Sequence, residues 1–207
     1  MIEVTAIIGD IHGNVRALAG MLHLIEGKCD RVIFAGDYVN RGRNSADVLQ
    51  TLVNYSRENE RAIFIEGNHD RGFLECLDAG AMTEFLRIGG AATIRSYLSS
   101  VDPDVLEQLR ISVPDSHVAF LRSLTPHFAD GQLLVTHTPE DAGLGLIERQ
   151  YHVFGHVPQL SLLPTVKPRW AAIDTGCGTL PEGRLTCLLW PSLEVLQVGA
   201  DGEAIGF

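Results

Sequence analysis

Three short apolar runs in the first third of the chain stop at the same kind of polar turn, and this fixes most of what the chain can become. Residues 3–8 end in Gly9-Asp10, residues 31–35 end in Gly36-Asp37, and residues 62–65 end in Glu66-Gly67-Asn68. Two segments with helical spacing lie between them. Val15, Leu18, Ala19, Leu22 and Ile25 follow Asn14, a residue suited to cap a helix. Val48, Leu49, Leu52 and Val53 follow Asn44-Ser45. Short buried runs alternating with amphipathic helices predict a β-α-β-α-β unit built on a parallel sheet. In such sheets the ligand site lies off the carboxyl ends of the strands, so the three polar turns are expected to converge.

The rest of the chain has a different texture. From about Asp70 to Leu124 it reads as mostly helical, punctuated by Gly89-Gly90 and Pro103. Pro114 sits near the start of a segment with Val118, Leu121 and Leu124 on one face. Residues 132–135, 151–154, 170–173, 185–190 and 193–198 then read as short strands separated by turn residues. The expectation is one domain over residues 1–207, with a strand-rich second half packed on the first.

Charge narrows the partners. Sixteen basic residues face 26 acidic ones, for a net charge of −10. An acidic chain is repelled by nucleic-acid phosphates and by anionic membranes, so neither is an expected partner. Bound divalent cations would still make one cleft locally positive. No apolar run approaches the roughly 18 residues that span a bilayer, and the N-terminus lacks a basic leader region, so a cytoplasmic protein is expected. Cys29, Cys76, Cys177 and Cys187 show no Cys-x-x-Cys spacing and read as buried thiols.

Five fragments carry chemistry. They are Gly9-Asp10-Ile11-His12-Gly13, Gly36-Asp37-Tyr38-Val39-Asn40-Arg41-Gly42, Gly67-Asn68-His69-Asp70, His137 after the run 133–135, and Phe154-Gly155-His156. Each alone has an ordinary reading as a capped loop, a turn or a hydrogen-bonded core histidine. Together, in order and each after a predicted strand, they are hard to explain as turn chemistry. Carboxylates, an amide and imidazoles form a hard-to-borderline donor set that suits Mn²⁺, Fe or Zn²⁺. The donors exceed what one ion needs, which points to two ions sharing a bridging carboxylate.

These fragments resemble the motifs of the calcineurin-like metallophosphoesterases, and most closely the phosphoprotein phosphatase branch with its small bacterial and phage serine/threonine phosphatases. That branch carries GDxHG, GDxxDRG, GNHE, a later His and a GH pair. This chain has GDIHG, GDYVNRG, GNHD, THT and GHVP. Residues 86–97 and the stretch from Ile173 to Thr186, with Ile173-Asp174-Thr175-Gly176-Cys177, also resemble family segments. The resemblance implies a central β-sandwich of mixed sheets flanked by helices. It also implies two divalent ions, Mn²⁺ foremost. Asp10 and His12 would hold the first ion, Asp37 would bridge both, and Asn68, His137 and His156 would complete the second site. His69 would be the general acid, and Arg41 would bind the phosphate oxygens. The implied reaction is attack of a metal-bound hydroxide on a phosphate monoester of a phosphoprotein or small molecule. The same motifs occur in dinucleoside polyphosphate hydrolases, the first alternative. A basic and aromatic cleft that stacks adenine would favour it, and none is evident in the sequence.

Three departures mark this chain. Asn40 replaces the Asp of DRG, so the group expected to orient His69 has no charge. GNHE becomes GNHD, and the reach of Asp70 to the same imidazole nitrogen is left open. Only 18 residues separate His137 from His156, and Arg149 is the one arginine there that would supply a further phosphate contact. The second alternative, a catalytically weak phosphate-binding regulatory protein, rests on Asn40 and the short segment between His137 and His156. His23, His117, His127 and His152 receive no role.

Overall fold

Thr5–Ile8 forms β1, and its side chains alternate between two apolar environments, as a strand buried on both faces requires. The computed structural model describes residues 3–100, 103–141 and 150–206. After β1 come α1 (Val15–Ile25), β2 (Arg31–Phe34), α2 (Ser45–Glu58) and β3 (Ile63–Phe64). The strands β1, β2 and β3 are parallel. The expected β-α-β-α-β unit is therefore present. Asn14 caps α1 through its side-chain oxygen, which accepts the Ala17 N–H at 3.1 Å. Ala17, Leu18, Met21 and Ile25 form the buried face of α1, while Ala19 is exposed.

Five helices follow: α3 (Asn68–Ala79), α4 (Met82–Arg87), α5 (Ala91–Tyr97), α6 (Val105–Ser112) and α7 (Asp115–Arg122). The chain then returns to strands. These are β4 (His127–Ala129), β5 (Leu133–Thr136), β6 (Tyr151–Phe154), β7 (Thr165–Val166), β8 (Trp170–Ala172), β9 (Leu185–Trp190), β10 (Glu194–Val198) and β11 (Ala204–Ile205). One mixed sheet runs β11-β10-β9-β1-β2-β3, and the other runs β4-β5-β6-β8-β7.

The parity of the strands explains how the layers stack. Ile7, Ile33 and Leu188 of the first sheet pack with Leu133, Val135, Tyr151, Val153 and Ala171 of the second, which makes a sandwich. Ala6, Ile8, Val32, Phe34, Cys187 and Leu189 point the other way and pack against the helices. The strand β1 thus lies between two cores. In the second sheet β5, β6 and β8 are parallel, so the carboxyl ends of β5 and β6 meet those of β1 and β2 along one seam. All four cysteines are free thiols, three of them buried. Among the described residues no helix is long and apolar enough to cross a membrane.

Candidate active site

The seam brings the fragments together through backbone contacts. The carbonyl of Asp37 accepts the N–H groups of Ile11 and His12 at 3.1 and 2.9 Å, and Tyr38 O accepts the Gly13 N–H at 2.9 Å. Within the second sheet, the Gly155 N–H donates to His137 O at 3.1 Å. The Asp10 carboxylate accepts the His156 N–H at 3.1 and 3.2 Å. Two glycines allow this density. A Cβ on Gly67 would lie 2.2 Å from Asp37, and one on Gly155 would lie 2.1 Å from the Asp10 carboxylate. The backbone is strained at the same place. Of eight non-glycine residues with positive φ among those described, five are His12, Asp37, Asn40, Arg41 and His156.

Asp37 occupies the centre. Its Oδ2 lies 3.3 Å from His137 Nε2, 3.6 Å from His12 Nε2 and 3.8 Å from His69 Nε2. Two donor groups form around it, His12-Asp37-His69 and Asp37-His137-His156, each with atoms within 4.8 Å of one another. Asn68 Oδ1 approaches His137 Nε2 at 3.1 Å, and His156 Nδ1 approaches the same nitrogen at 3.2 Å. Asp10 Oδ2 stands 3.9 Å from His12 Nε2. All six expected donors are thus brought together. Two of the rings are aimed from behind. His12 Nδ1 donates to Val39 O at 3.1 Å and His137 Nδ1 to Ala35 O at 2.9 Å, which turns each Nε2 lone pair toward Asp37.

The charges explain the electrostatics. Burial opposes ionisation of Asp37, but His137, His12 and His69 together hold its carboxyl below the ordinary range. Burial would lower His137, yet the charges of Asp37 and Asp10 outweigh it and raise the ring to about 10. Burial, then Asp174 and Asp37, raise Asp10. Asp37 and Asp10 thus favour positive charge beside them. Converging oxygen and imidazole lone pairs, oriented by backbone carbonyls, fit divalent cations.

His69 and Arg41 lie at the edge of this centre. Burial, followed by the neighbours His12 and Arg41, holds His69 down at about 4, against the pull of Asp37. Asn40 Nδ2 faces His69 Nδ1 at 3.0 Å, while Asn40 Oδ1 accepts from Thr93 Oγ1 at 2.7 Å. In this arrangement the amide donates to the ring, and the ring proton sits on Nε2. Nothing in the sequence marked Thr93 for this part. Arg41 is exposed and lies along Gly89, where a Cβ would come within 3.0 Å of its side chain.

Asp70 does not reach the His69 ring to take the place of the missing carboxylate. Its oxygens accept four backbone N–H groups, from Asp37 (2.8 Å), Tyr38 (2.9 Å), Gly67 (3.1 Å) and Val39 (3.3 Å). The Gly-Asn-His-Asp stretch is the first turn of α3, with Asp70 folding back on the helix start in the manner of a capping box. Arg149 lies outside the described residues. A groove that the sequence did not reveal runs beside β6. Pro139, Gln150, His152, Phe154, Arg169 and Trp170 line about 520 Å³, and the Phe154 and Trp170 rings stack with centroids 5.6 Å apart.

The sequence profile of the calcineurin-like phosphoesterases matches residues 4–163. The chain belongs to this family. Its relatives include the symmetrical bis(5'-nucleosyl)-tetraphosphatase of Coxiella burnetii, 43% identical over 82 residues, or 39% of this chain. Serine/threonine-protein phosphatase 2 of Escherichia coli is 34% identical over 86 residues, or 41% of this chain. The matched stretches span 26% and 37% of those two proteins. A solved structure described as a putative diadenosine tetraphosphatase shares the fold with a TM-score of 0.62 at 20% identity, covering 95% of this chain and 93% of that one. A metallophosphoesterase from Sphaerobacter thermophilus shares it with a TM-score of 0.58 at 16% identity, covering 100% and 89%.

Proposed function

We propose that this protein is a dinuclear-metal phosphoesterase that hydrolyses phosphate monoesters in the manner of a serine/threonine protein phosphatase. The observation that carries the reading is Asp37, one buried carboxylate shared by two facing histidine groups with His69 and Arg41 beside it. Asp10, His12 and Asp37 would hold one ion, and Asp37, Asn68, His137 and His156 the other. Mn²⁺ is the ion expected, and Fe or Zn²⁺ also suit the donors. When bound, two such cations supply charge neutralisation on the phosphoryl oxygens and make water a nucleophile near neutral pH.

The chain's own residues do the rest. The guanidinium of Arg41 offers a planar fork to two phosphate oxygens. A phosphate dianion beside His69 would offset the burial that holds the ring down and favour its protonated form, so that Nε2, 3.8 Å from Asp37 Oδ2, hands a proton to the leaving ester oxygen. Asn40 fixes the plane of that ring without adding charge. A cytoplasmic setting fits the four free thiols.

The test is metal removal together with Asp37→Ala. Activity on p-nitrophenyl phosphate should vanish in chelator and return with Mn²⁺, and the variant should hold neither ion. Retention of two ions by the variant would sink the assignment of Asp37 as the bridge.

The groove beside β6 favours a second reading, hydrolysis of a dinucleoside polyphosphate. Stacked aromatic rings with a histidine and an arginine suit a nucleobase. Side-by-side turnover of a phosphoserine peptide and diadenosine tetraphosphate at saturating Mn²⁺ separates the two readings.

A further inference from the structure

Asp174 stands outside the six donors, yet the fold delivers it to the same seam. It follows β8 by way of Ile173, whose N–H donates to Phe154 O at 2.9 Å. The carbonyl of Ile173 lies where a Cβ on Gly9 would be 2.8 Å away. Asp174 is therefore set beside both the Gly9-Asp10 and the Gly155-His156 turns. Further along the same loop, Gly178 presses against His12, and a Cβ there would lie 2.2 Å from the His12 carbonyl.

The side chain of Asp174 is only half satisfied. The residue is 1% exposed. Its Oδ1 accepts the Gly176 N–H at 2.9 Å, while Oδ2 is buried and has no hydrogen-bond partner. Its charge acts on Asp10, and it feels His12, Asp37 and His137 in turn. A buried carboxylate oxygen with no donor is costly unless a cation faces it. The donor count says where that cation belongs. The ion at Asp37, Asn68, His137 and His156 has four protein groups, whereas the ion at Asp10, His12 and Asp37 has three.

We infer that Asp174 belongs to the metal centre, its free oxygen adding a fourth protein group around the ion held by Asp10 and His12. The inference rests on the dinuclear reading given above, and the experiment keeps the two apart.

Wild type and Asp174→Asn are stripped with chelator and titrated with Mn²⁺ by calorimetry, and bound manganese is counted by elemental analysis. Wild type should take up two ions. The variant should keep one at wild-type affinity and bind the other at least about tenfold more weakly, within the range that changes around a metal site produce. Metal-free Asp174→Asn should melt no lower than metal-free wild type. The amide keeps an oxygen for the Gly176 N–H and removes an unpaired charge. Asp174→Ala should weaken the same ion, although losing the Gly176 contact lowers its melting temperature. Two ions at wild-type affinity in Asp174→Asn overturn the inference, whether or not that variant melts lower. Equal weakening of both ions overturns it as well. A wild type that binds fewer than two ions overturns the dinuclear reading itself.

Discussion

Asp70→Asn isolates the group that shapes the Asp37 loop. The carboxylate of Asp70 divides four backbone N–H groups between its oxygens: Asp37 and Gly67 on Oδ2, Tyr38 and Val39 on Oδ1. An amide keeps one oxygen and turns an NH₂ toward the other pair, so two buried N–H groups lose their acceptor. Each such loss costs about 1–3 kcal/mol. Part of this is offset above pH 8, because burial and then the neighbouring Asp37 charge push Asp70 up to about 8, and the substitution removes the cost of keeping it ionised there. The net expectation is a destabilisation of about 2–4 kcal/mol. For a chain of this size that is a drop of roughly 5–15 °C in melting temperature. Thermal unfolding followed by circular dichroism at a pH above 8, where Asp70 is ionised, and in chelator so that metal affinity plays no part, measures it. A variant melting within about 1 °C of wild type would refute the reasoning, since the four N–H groups would then not depend on an ionised partner.

Two further outcomes follow from the site and a third from a buried histidine on α7. His69→Asn should slow phosphoserine turnover about 10²–10⁴-fold while leaving p-nitrophenyl phosphate nearly untouched, because nitrophenolate leaves without a proton; equal losses would remove the acid role. Asn40→Asp should raise phosphoserine turnover above pH 7 and move the alkaline limb of the pH–rate profile upward, since an anion beside His69 favours its protonated form; superimposable profiles would mean residue 40 does not tune the ring. Burial lowers His117, whose ring lies between the Tyr97 hydroxyl at 2.7 Å and Gln50 Oε1 at 3.2 Å. Its folded pKa is depressed, so its contribution is complete above the ordinary histidine value of about 6.5 and is lost as pH falls below it. Melting curves between pH 8 and 5 should therefore slope less for His117→Gln than for wild type, and parallel slopes would contradict this.

Much of the site is legible in the sequence because the candidate metal donors sit close after strand ends, where an apolar run stopping at Gly-Asp or Gly-His is a local signal. β6 begins and ends at the expected residues for the same reason, and β9 does so because its apolar run stops at Pro191. β4, β7 and β11 were not legible. They are two or three residues long and owe their form to a partner strand rather than to their own pattern. Gly-Asn-His-Asp read as a turn because Gly and Asn favour turns, and only the Asp70 contacts at 31 to 33 residues' separation reveal a helix start. The grip of Thr93 on Asn40 spans 53 residues and leaves no local trace. The groove joins side chains from two strands whose register no single strand encodes.

The seam also orders events in time. Asp10 receives the His156 N–H across 146 residues of chain. During synthesis Asp10, His12, Asp37 and Asn68 are made well before His137 and His156, and they lack those two partners until the second sheet docks. An ion that needs both halves is captured only by a finished fold, so its binding energy adds to the completed state alone. Stabilisation that arrives after the folding barrier slows unfolding without hastening folding. A metal held at this seam by residues of both halves would act as a latch on a closed sandwich, lengthening the life of the fold rather than hastening its formation.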